Sequence, residues 1–97
     1  MKLSFPLRDS ALNYMRKAGY HFDRHDVRGQ MSFIRSIGRD AFPRFHAYVS
    51  EEDGELRIYL HLDQKRPTYQ KVHSHSGEYE GEIVEQEGQR LRRVFGL

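Results

Sequence analysis

The chain has 97 residues, 37% of them hydrophobic and 12% aromatic, with sixteen Lys and Arg against fourteen Asp and Glu, six His and no Cys. That length holds one domain with a single modest core and excludes a second. The absence of cysteine excludes disulfides, thiolate-bound zinc and a thiol nucleophile, and leaves His, Asp and Glu as the strong metal-ligating side chains.

A net charge of +2 does not by itself mark a nucleic-acid binder, but its distribution is uneven. Residues 1–48 hold nine Lys and Arg against four Asp and Glu (+5), whereas residues 49–97 hold seven against ten (−3). A dipolar layout of this kind can steer a polyanion to one side of a small domain. No segment approaches the roughly 18 apolar residues of a membrane span, and the N-terminal stretch lacks a signal-peptide core. The expectation is a cytoplasmic protein that makes no use of a membrane.

In chain order, Leu7-Arg8-Asp9-Ser10 reads as a helix start, with Asp9 or Ser10 as the cap. A short helix through about Lys17 follows, its stripe made of Ala11, Leu12, Met15 and Ala18, and Gly19 is placed to end it in the left-handed region. Residues 21–30 (HFDRHDVRGQ) are polar and without period, a loop or a frayed strand. Residues 31–37 (MSFIRSI) read as the first strand. Two alternating runs, 45–49 and 56–62, flank Glu51-Glu52-Asp53-Gly54, a strong hairpin signal. A two- or four-residue turn aligns Phe45, Ala47 and Val49 with Leu56, Ile58, Leu60 and Leu62, so that Arg44, His46, Tyr48, Arg57, Tyr59 and His61 share the opposite face. Residues 64–79 read as an unusually long loop, and residues 80–95 as a last helix with Ile83, Val84, Leu91, Val94 and Phe95 on one side, its early glutamates solvated. The expected fold is an α+β two-layer α-β-β-β-α sandwich, a three-stranded antiparallel sheet with two helices on one face and the other face open.

That element order resembles double-stranded RNA-binding domains and the HicA-type mRNA interferase toxins. The run Tyr14-Met15-Arg16-Lys17-Ala18-Gly19-Tyr20 is similar to the helix end of the HicA type, although the Gly-Ser-His signature of that family does not follow it, so no catalytic residue is carried over. His61-Leu62-Asp63-Gln64-Lys65 followed by His75-Ser76-Gly77-Glu78-Tyr79-Glu80-Gly81 resembles a family of small bacterial proteins from candidate-phylum genomes. This second resemblance covers about the last 40 residues and implies a bacterial cytoplasmic protein, with no activity attached.

Three constellations carry chemistry. The open face, Arg44, His46, Tyr48, Arg57, Tyr59 and His61, together with Lys65, Arg66 and Lys71 of the following loop, mixes aromatic rings that stack bases with cations that engage phosphates, the combination by which sheets bind single-stranded RNA. The same residues also serve as ordinary cross-strand pairs on a solvated face. His61, Asp63, His73, His75 and Glu78 form a candidate zinc or manganese site, since ligands at i and i+2 share one side of a strand and the loop supplies the rest. His46 and His61 are candidate general acid and base for RNA cleavage, with Arg57 or Lys65 stabilising the developing charge. RNA binding is the leading reading. The alternatives are a HicA-like or metal-assisted ribonuclease using His46, His61 or the His73/His75 loop, and a protein-interaction module that forms a homodimer or binds a partner through Tyr48 and Tyr59.

Overall fold

The computed structural model describes residues 1–64 and 76–96, with side chains of the last helix described from residue 81 onward. Its elements are β1 (Lys2–Pro6), α1 (Ala11–Lys17), β2 (His21–His25), β3 (Met31–Ser36), β4 (Arg44–Glu52), β5 (Glu55–Asp63) and α2 (Ser76–Val94). All pairings are antiparallel and the strand order is β1-β5-β4-β3-β2. The class remains α+β, but the expected three-stranded α-β-β-β-α sandwich is wrong: the sheet has five strands, and the order is β-α-β-β-β-β-α.

The two additional strands have different physical origins. β1 is only five residues long, yet it alternates, with Leu3 and Phe5 buried and Lys2, Ser4 and Pro6 exposed, and it pairs with β5 from Lys2 opposite Tyr59 to Pro6 opposite Glu55. The pairing continues past both ends, where Met1 and Leu60 exchange backbone hydrogen bonds of 2.8 and 3.0 Å and Leu7 N donates to Gly54 O. β2 is an edge strand with all five residues exposed, so no apolar alternation marks it. Its ladder to β3 alone makes it a strand, and the register shifts by one residue between Phe22 and Arg24.

The buried face of the sheet carries Leu3, Phe5, Phe33, Phe45, Ala47, Val49, Leu56, Ile58 and Leu60. Both helices close over it. α1 is capped by Ser10, whose Oγ accepts from Asn13 N, and it contributes Ala11 and Met15 to the core. Gly19, at φ +91°, then turns the chain so that the Tyr20 ring is fully buried. α2 begins four residues earlier than the sequence pattern indicated and buries Val84, Glu87, Gly88 and Leu91, spaced at i, i+3, i+4 and i+7. Gly88 has a packing reason to be there. A Cβ at this position would run into the Met1 side chain and reach 3.8 Å from Leu3 Cδ2, so the glycine lets α2 lie close on the start of β1.

Glu87 departs from the expectation of solvated acidic residues. Its side chain is 3% exposed and accepts from Tyr20 Oη at 2.6 Å and from Arg90 at 2.8 and 3.0 Å, with Arg35 at 3.5 Å. Arg90 also donates to Ala18 O at 2.6 Å, so one carboxylate ties α2 to the α1–β2 junction and to β3. Burial, and then the neighbouring Glu87 charge, push the Tyr20 hydroxyl far above the ordinary phenol range, so it stays a donor. The hydrogen bonds from Arg90 to Glu87 raise the arginine's already high pKa further.

Removing one partner of such a buried group leaves uncompensated charge, whereas exposed pairs contribute little. Glu87→Ala is therefore expected to cost about 3–5 kcal/mol in a denaturant melt, and Arg57→Ala, in a half-exposed ion-pair cluster, only about 0–1 kcal/mol. Equal losses for the two variants would contradict this assignment.

Candidate functional site

The helix-free face of the sheet is organised by register. The β4–β5 hairpin turns on two residues, Asp53 at φ 54° and Gly54 at φ 75°, which places Glu52 opposite Glu55, Tyr48 opposite Tyr59, His46 opposite His61 and Arg44 opposite Asp63. β1, β3 and β2 extend these rows where they pair. Arg24, Ser32, Tyr48, Tyr59 and Lys2 form one continuous row across all five strands. His21, Ile34, His46 and His61 form the row beside it. Four inter-strand steps of about 4.8 Å make the first row roughly 19 Å from end to end.

The structure brings together the six candidate face residues, Arg44, His46, Tyr48, Arg57, Tyr59 and His61, on this one face. It does not leave them equally available. Arg57 faces the acidic turn of its own hairpin, pairing with Glu52 at 2.9 Å, Glu55 at 3.3 Å and Asp53 at 3.8 Å. Arg44 pairs with Asp63 at 3.2 Å and lies over the Phe42 ring. His46 is 6% exposed and both ring nitrogens are engaged, Nε2 with Ser32 Oγ at 2.6 Å and Nδ1 with Asp63 Oδ2 at 3.1 Å.

The Ser32, His46, Asp63 sequence has the nitrogen order of a nucleophile, base and carboxylate relay. Ser32 is only 2% exposed, so its hydroxyl is enclosed among the polar links of the sheet. His46 thus bridges Ser32 on β3 and Asp63 on β5 through its two ring nitrogens. Three side chains from β3, β4 and β5 are thereby locked together. Asp23 on β2 lies 3.4 Å from the same hydroxyl and extends the network toward the sheet edge.

What faces solvent is a smaller set. Tyr59 is 42% exposed, Lys2 Nζ sits 5.4 Å from its ring centroid, and His61 is exposed beside it. Tyr48 is half-buried between His46, stacked at 4.5 Å, and His61, edge-on at 5.4 Å. At the far end Arg24 has 71% of its side chain exposed and only a 3.8 Å contact to Asp23. Lys2 and Arg24 were not among the sequence candidates. The signal for Lys2 was the brief Leu3/Phe5 alternation, while Arg24 sits in a strand whose sequence carries no period.

Lys65, Arg66, Lys71, His73 and His75 lie outside the described residues, as does the side chain of Glu78. Of the proposed zinc or manganese ligands, His61 and Asp63 remain, and among the described residues no group of three or more His, Asp or Glu is arranged to hold a metal ion. Among the described residues, no helix is long and apolar enough to cross a membrane. Compared with known proteins, the chain matches no family model, no curated protein and no solved structure.

His61 is exposed by surface area yet its ring is partly desolvated against the sheet, and this desolvation, followed by the positive N-terminus and His46, lowers its pKa against a smaller opposing pull from Asp63. The unfolded chain thus binds a proton more readily at this position than the folded one does, and stability falls as pH drops from about 6.5 through the lower folded value. His61→Asn is expected to flatten the decline of the melting temperature between about pH 6.5 and 5. An unchanged slope would show that another group controls it.

Proposed function

We propose that this domain binds single-stranded RNA across its open sheet face, with Tyr59 and Tyr48 as stacking platforms and Lys2 and Arg24 as phosphate contacts. The observation that carries the reading is the cross-sheet row Arg24, Ser32, Tyr48, Tyr59, Lys2, in which cations stand at both edges and two directly opposed tyrosines at the centre. Aromatic rings accept any base because every base has a π-face, and each such stack is worth about 1–3 kcal/mol. Backbone phosphates are met at the two ends, where the side chains are exposed.

Geometry changes the division of labour within the candidate set. Arg44 and Arg57 spend their charge on Asp63 and on the hairpin turn, so they shape the face rather than contact phosphate. His46 holds Tyr48 by stacking and is itself held by Ser32 and Asp63. His61 borders the tyrosine pair as a neutral polar ring at physiological pH. The basic positions Lys65, Arg66 and Lys71 follow β5 directly in sequence and belong to the same proposal. A cytoplasmic location accompanies this ligand.

Fluorescence anisotropy with a labelled mixed-sequence single-stranded RNA tests the reading. Binding is expected at low salt and weakens as salt rises. Tyr59→Ala is expected to reduce affinity about 5- to 150-fold, and Lys2→Ala to lower the salt dependence by about one phosphate contact. Absence of binding at low salt, or an unaffected Tyr59→Ala variant, would overturn it. Concentration-dependent mass in sedimentation, lost in Tyr59→Ala, would instead assign the face to a second copy of the chain.

A further inference from the structure

On the helix-covered side, at the opposite end of the sheet from the β4–β5 turn, α2 and the β3–β4 connection leave a cleft of about 410 Å³. Ile37, Phe45, Leu62 and Ile83 are among its apolar lining residues, and Glu87, Arg90 and Arg93 carry the charge in the lining. The volume is in the range of small-molecule sites, and the lining is half apolar and half polar or charged. The Ile37 side chain, on the lip, is left 44% exposed, an uncovered apolar surface next to an uncovered apolar hollow. The lip itself is fixed, since Ile37 N donates to Pro43 O at 3.2 Å.

The charge of the lining selects the ligand. Glu87 lines the same cleft as Arg90 and Arg93, so two guanidinium groups stand against one carboxylate there. Arg90 is immobilised by Glu87 and by Ala18 O, which presents a cation in a set orientation. Arg93, one helical turn further on, is exposed and makes no ion pair among the described residues. A positive excess in a cleft with an apolar part complements a molecule with an apolar body and one anionic head, and arginine forks match the planar carboxylate in particular.

We propose that the cleft between α2 and the β3–β4 connection is a binding site for a small amphipathic monocarboxylate, its apolar body against Ile37, Phe45, Leu62 and Ile83 and its carboxylate at Arg93 and Arg90. The site is separate from the open sheet face, so it stands or falls independently of RNA binding.

Decanoate, used below its micellar concentration, is the probe, and amide shifts of the whole labelled chain are the readout. Saturable shifts on Ile37, Leu62, Ile83 and Gln86 are expected, with little change on Tyr48 or Tyr59. Arg93→Ala, at an exposed position, is expected to leave the melting temperature in place and weaken decanoate binding roughly tenfold. Ile37→Asp, on the exposed lip, is expected to weaken it as well. A decyltrimethylammonium ion is expected to bind more weakly than decanoate. No saturable shifts at the cleft, equal affinity for the cationic probe, or an unaffected Arg93→Ala variant would each overturn the proposal.

Discussion

A turn of two residues in the left-handed region, Asp53 and Gly54, sets the parity of β4 against β5, and most of the molecule depends on that parity. Side chains alternate along a strand, so a slip of one residue would invert one strand against the other, turning either Ala47 and Val49 or Ile58 and Leu60 to solvent and carrying that strand's His and Tyr under the helices. Glycine accepts the second turn position without strain and aspartate is among the few other residues that tolerate the first. With this hairpin fixed, β3 adds to one side and β1 to the other, each with its own small apolar alternation facing the same core. Core and candidate site are two faces of one register decision.

The two layers are held differently. Beneath the helices, apolar burial is continuous and is interrupted at one place, where Tyr20, Glu87, Arg90 and Arg35 converge. That polar knot joins the end of α1 to α2 across the start of β2, which apolar contacts from an edge strand of exposed residues could not do. No described element covers the open face, and order there comes from polar links between neighbouring strands: Ser32 to His46 to Asp63, and Asp63 to Arg44. These links consume the groups that look most reactive in sequence. They leave Tyr59, Lys2, Arg24 and His61 as the groups presented outward, and the functional reading follows from that subtraction.

Much of this was legible in the residues, and the rest was hidden for definite reasons. The Asp-Gly turn, the alternation of residues 45–49 and 56–62, the Ser10 cap and Gly19 each have a local physical cause, and each appears where that cause placed it. The six-residue face followed from alternation together with the parity of the turn. The outer strands were not legible in the same way: β1 buries only Leu3 and Phe5, too few for a periodic signal, and β2 buries nothing. The engagement of His46, Arg44 and Arg57 was hidden too, because it depends on cross-strand partners, and Ser32 and Asp63 become neighbours of His46 only once three strands are in register. Glu87 looked like one more solvated glutamate because Arg90 alone is near in sequence, while Tyr20 and Arg35, which complete its burial, are more than fifty positions away.

The most direct measurement of the central claim is an isotope-filtered nuclear Overhauser experiment on the labelled protein with unlabelled single-stranded RNA, which reports which protons touch across the interface. Contacts between base protons and the rings of Tyr59 and Tyr48, together with contacts from ribose protons to the side chains of Lys2 or Arg24, are the predicted result. Bound RNA whose contacts fall only on the helical side, on α1 or α2, would contradict the claim that the open sheet face is the binding surface.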